Sequence, residues 1–101
     1  MSAYLIVRAV VAAPDRDKFD HWYETEHLPD ALRDFKALSA KRGWSSIDPA
    51  VHFAMYEFPD VETANAIATS DVIKELVAEF DRQWQDRVER TREVVEIIQT
   101  L

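Results

Sequence analysis

The chain opens on its most apolar stretch. Tyr4 to Val11 is apolar at every position except Arg8 and rich in β-branched residues. That pattern predicts a strand buried on both faces, hence a central one. From Pro14 the period becomes helical. Phe19, Trp22, Tyr23 and Glu26 share one face with His27 at its edge, and Asp17, His21, Glu24 and Leu28 fall mostly opposite. Asp15 and Asp17 occupy the first turn, where the helix dipole favours them. Pro29 predicts a break just after His27, with a short further turn of helix from Leu32 to Phe35. Lys36 to Trp44 reads as a strand nearer an edge, Ser45 to Pro49 as a loop, and Val51 to Phe58 as a strand with aromatics on both faces. Asp60 is placed to cap a helix from Val61, which breaks around Thr69-Ser70-Asp71. Ile73, Leu76, Val77, Phe80 and Trp84 then form an amphipathic stripe. The charged run Asp86 to Glu93 reads as a solvated connection or a fraying helix end, and Val94 to Leu101 as the closing strand.

This order, β-α-β-β-α-β, predicts a single ferredoxin-like α+β domain over residues 1–101. Its four-stranded antiparallel sheet carries helices on one face only. The uncovered face should be polar if it meets water, yet the strands are apolar on both sides. A second copy packing its own sheet there explains the pattern, giving a homodimer in which two sheets close into a barrel.

Composition narrows the partners. A net charge of −7, with basic residues interleaved among acids, argues against nucleic acid. With no cysteine there are no disulfides and no thiolate chemistry, and a single glycine excludes phosphate-binding loops and dinucleotide fingerprints. No apolar run reaches the length of a membrane span and no secretory leader is recognisable, so a cytoplasmic protein without cofactor or metal is expected.

The chemistry-bearing residues concentrate in Phe19 to Asp30. His27 suits general acid/base work, because an imidazole titrates near neutrality; the competing role is a protonated helix C-cap. Tyr23, one turn earlier, offers a hydroxyl, while Trp22 fits the core better than a ligand wall. Glu24-Thr25-Glu26-His27 has the Glu-x-x-His spacing of di-iron helices, but the chain lacks the second copy such a site needs. Arg8 is anomalous in an apolar strand. An ion pair with Glu57 or Glu96 on flanking strands accounts for it, the alternative being an anchor for a ligand carboxylate. Trp44, His52 and Tyr56 face core or cavity, and periodicity leaves their side of the sheet open.

Taken together, a strand, then Phe19-x-x-Trp22-Tyr23-x-x-Glu26-His27-Leu28-Pro29, then strands with Met55-Tyr56-Glu57-Phe58, a helix and a last strand resemble the dimeric α/β-barrel superfamily, its small EthD-like members above all. The resemblance spans essentially the whole chain. It implies a homodimer with a cavity between each sheet and its helices, in a group that includes isomerases, cyclases and cofactor-free monooxygenases. His27 matches the histidine that recurs as a site residue in EthD-like proteins, with Leu28-Pro29 in place of their Gly-Pro. The expected function is binding of a small apolar or aromatic molecule, with proton transfer on an aromatic, polyketide-like or lactone substrate. The alternative is a non-catalytic ligand-binding or structural homodimer.

Overall fold

Strand β1 (Ala3–Val11) lies in the interior of a four-stranded antiparallel sheet of order β2-β3-β1-β4, flanked by β3 (Val51–Phe58) and β4 (Val88–Glu96), with β2 (Ser39–Trp44) on one edge. The computed structural model describes residues 1–101. Register assigns each side chain to a face. Ala3, Leu5, Val7 and Ala9 stand opposite Phe58, Tyr56, Ala54 and His52, and these pairs meet the helices. Tyr4, Ile6, Arg8 and Val10, beside Phe53 and Met55, occupy the uncovered face.

The helical layer has two arms. The first is α1 (Arg16–Trp22), a π-helical turn from Tyr23 to His27, and α2 (Leu28–Phe35). The second is α3 (Val61–Ala68) and α4 (Asp71–Trp84). Caps define the second arm: Asp60 accepts from the Thr63 amide at 2.7 Å and Ser70 from that of Ile73, which ends one helix and starts the next. Between the layers Phe19, Trp22, Phe80 and Trp84 pack with ring centroids 5.3 to 6.3 Å apart.

Two expectations are corrected. The helix does not break at Pro29. Proline crowds the carbonyl four residues back, here Thr25, and the widened π turn around that carbonyl lets the chain continue helically into α2. The last strand is Val88–Glu96 rather than Val94–Leu101, so the charged run Asp86 to Glu93 is largely strand. It is an edge strand, where charge on the outer face is the ordinary way to discourage stray pairing.

Candidate functional site

The π turn gives the site its shape. The Leu28 amide donates to the Tyr23 carbonyl, five residues back, so this turn holds one residue more than an α turn. Trp22, Tyr23 and His27 therefore all point inward, whereas Glu26, which an uninterrupted α period would bury, is exposed. His27 is only 6 % exposed. Its ring stacks on Trp22 at 4.5 Å with an interplanar angle of 18° and meets Tyr23 edge-on at 4.9 Å. Nδ1 is buried and has no hydrogen-bond partner. Burial, reinforced by the Arg90 cation, lowers the His27 pKa to about 4, so the imidazole is neutral at physiological pH. Neither requirement of the cap is met, since the helix does not end at His27 and the neutral ring is not the cation such a cap calls for.

His27 forms one wall of a small, partly open cavity of about 30 Å³ between sheet and helices, room for a water molecule or two. Tyr23 and Tyr56 line it from helix and strand, with Phe35, Leu76 and Val77 supplying apolar surface. Burial raises the Tyr23 pKa to about 12 and that of Tyr56 well above its usual value, so both phenols stay protonated and able to donate. Arg90 and Arg92 reach the same cavity from β4. The Arg90 guanidinium lies 3.9 Å from the Phe80 ring centroid and is 3.4 Å from Asp81. An apolar chamber with neutral histidine, two phenols and guanidinium at its wall favours a small molecule that develops negative charge.

The sequence-derived candidates separate into three groups. His27, Tyr23 and Tyr56 converge on the cavity, with Trp22 backing the imidazole rather than lining the space. Trp44 and His52 belong to a neighbouring cluster built on Asp20. The Asp20 carboxylate accepts from Arg42 at 2.7 Å and from the Trp44 indole N–H at 2.8 Å, and both donors hold its pKa below the usual carboxylate value. His52 sits behind them, 3.4 Å from an Arg42 nitrogen and 4.6 Å from the Tyr23 ring, its own pKa lowered to about 4 by burial and by Arg42. This cluster ties β2 to α1 and so fixes the helix that presents Tyr23. Arg8 stands apart. It is exposed on the helix-free face opposite Phe53 and Thr91, while Glu57 accepts from Ser39 and Glu96 lies opposite Ala3, so the expected ion pair is not formed and the cavity is out of its reach. Glu24 leans toward Arg42 at 3.7 Å instead of joining His27.

Arg90 and Arg92 were not anticipated from sequence. The signal lay in the alternation Val88, Arg90, Arg92, Val94 against Glu89, Thr91, Glu93, Val95, a period of two inside a run whose charge reads as solvated loop.

No protein-family model matches the chain, and no curated protein does. Solved structures do match. An EthD-family protein from Bacillus halodurans superposes with a TM-score of 0.73 at 16% identity, over 97% of this chain and 100% of that one. SnoaB, a cofactor-independent oxygenase from Streptomyces nogalater, gives 0.70 at 11% identity, over 99% and 96%. A conserved protein of unknown function from Bacteroides thetaiotaomicron gives 0.67 at 18% identity, over 95% and 97%. The fold is thus the ferredoxin-like arrangement shared by EthD-family and antibiotic biosynthesis monooxygenase-like proteins. At these identities the likeness is one of architecture.

Proposed function

We propose that the protein binds a small aromatic, polyketide-like or lactone molecule between sheet and helices and moves a proton through His27, as a cofactor-free isomerase, cyclase or monooxygenase does. The observation that carries this reading is the buried, neutral, unpartnered imidazole on the wall of a cavity shared with a guanidinium. An unsatisfied buried nitrogen is costly in a native fold and calls for a reason. A substrate proton supplies one. Neutral His27 accepts the proton from an acidic C–H or O–H, and the substrate anion then lies beside Arg90 and within reach of the Tyr23 or Tyr56 hydroxyl. That anion offsets the Arg90 field which depressed the imidazole pKa, so the base strengthens as the proton arrives. Trp22 keeps the ring oriented; Trp44 and His52 act through the placement of Tyr23.

Proton transfer by a positioned side chain contributes roughly 10²- to 10⁴-fold in rate. Phenols, aromatic acids and lactones are to be screened by thermal shift against wild type and His27→Ala, and hits assayed for turnover with His27→Gln. The expected result is a ligand that stabilises wild type, loses that effect in His27→Ala, and turns over slower by that factor in a folded His27→Gln. Equal turnover by His27→Gln would refute the catalytic role. The alternative is a binding module that holds its ligand unchanged; there wild type still shows the thermal shift and no product forms.

We also read the protein as a homodimer through the helix-free sheet face. Tyr4, Ile6, Val10, Phe53 and Met55 form an apolar patch there, only part-buried in the single chain. Sedimentation equilibrium at micromolar concentration is expected to give twice the chain mass, and a monomer would end this assignment.

A further inference from the structure

A second hollow opens at the junction of α3 and α4. Its volume is about 210 Å³, and Ile73, Val77 and Arg92 line both it and the His27 cavity, so the two spaces share a wall. An apolar cavity of about 150 Å³ takes a benzene ring, so the outer space is large enough for a substituted ring. Neither wall includes an Asp or Glu. Arg92 has no ion-pair or hydrogen-bond partner, unlike Arg90, which has Asp81, and Lys74 on the outer rim, which has Asp71 at 3.5 Å. Exposed Arg92 is therefore a guanidinium without a counter-charge at the boundary of two adjacent cavities. A guanidinium presents parallel N–H donors that match the two oxygens of a carboxylate.

Resting on the His27 reading, we propose that Arg92 is the specificity-determining residue for an anionic substrate, an aromatic carboxylate. Its carboxylate pairs with Arg92 in the outer hollow, its ring packs on Ile73 and Val77, and its acidic O–H or C–H is turned to the side on which His27 lies. Arg92 thereby sets the orientation in which the substrate meets the base, and uncharged analogues of the same shape are held weakly.

The test is calorimetric titration of 6-hydroxy-2-naphthoate and of the uncharged 6-hydroxy-2-naphthamide into wild type, Arg92→Gln and Arg92→Lys. A hydrogen bond to a charged group contributes on the order of tenfold or more in affinity. Wild type is expected to prefer the acid by about that factor. Arg92→Gln should reduce the preference to parity, and Arg92→Lys should keep part of it, which separates loss of the anchor from loss of fold. Equal binding of acid and amide by wild type, or a preference that survives in Arg92→Gln, would overturn the role of Arg92 and leave the His27 pocket standing. Binding of neither compound to wild type would overturn both.

Discussion

Acidification from pH 7 to pH 4 is expected to unfold the protein or bring it to the edge of unfolding. His27 and His52 are buried and neutral, each with a folded-state pKa of about 4 against an ordinary value of 6.5. Between these limits the unfolded chain binds more protons than the native one, so stability falls as pH falls. The contribution is fully present above about pH 6.5 and is lost progressively down to about pH 4. A shift of this size corresponds to on the order of 3 kcal/mol per imidazole, and two such losses rival the whole stability of a small domain, about 5–15 kcal/mol. Urea titrations at a series of pH values measure it directly. The expected slope is near two protons at its steepest. His52→Phe, which fills an aromatic surround while removing the titrating group, should cut the slope by about one. A stability flat from pH 7 to pH 4 would show that both imidazoles titrate in the native state as they do in the unfolded chain.

Truncating Phe19 to alanine is expected to cost about 3–5 kcal/mol, the range for removing a fully buried aromatic ring. Phe19 has no exposed surface, and its ring lies 5.1 Å from His52, 5.3 Å from Tyr23 and Trp84, and 6.0 Å from Trp44 and Phe80. These neighbours come from the π turn, β2, β3 and α4, so no single element can move in to fill the hole. Phe19→Leu retains most of the volume and is expected to cost far less. A denaturant midpoint for Phe19→Ala within about 1 kcal/mol of wild type would mean that the surrounding rings collapse onto the gap.

Much of the architecture was legible from periodicity alone. The stripe from Ile73 to Trp84 is a strong signal, because burial of one face selects those positions whatever the rest of the chain does. The π turn was not legible. An α wheel places Glu26 inward, and only the steric demand of Pro29 on the Thr25 carbonyl resolves the turn the other way, so Tyr23 and His27 were rightly paired but for an incomplete reason. The final strand was misplaced because its helix-facing positions include arginines, one of which, Arg90, lays its guanidinium over the Phe80 ring. A scale that counts arginine as polar sees a loop there. The same misplacement made Glu96 look like a partner for Arg8, and it hid the cations of the cavity. On the candidate site, then, the sequence brought His27 and Tyr23 together and was blind to the cations facing them.

The order of strands has a consequence for synthesis. Strand β1 is made before both of its sheet neighbours, β3 (Val51–Phe58) and β4 (Val88–Glu96). Nascent chains of intermediate length therefore carry the most apolar segment of the protein with one edge unsatisfied. Sheet completion must wait for β4, a long-range closure that slows folding. Until then that segment needs shelter, from the emerging helices or from a chaperone, and premature termination leaves a fragment inclined to aggregate rather than a smaller domain.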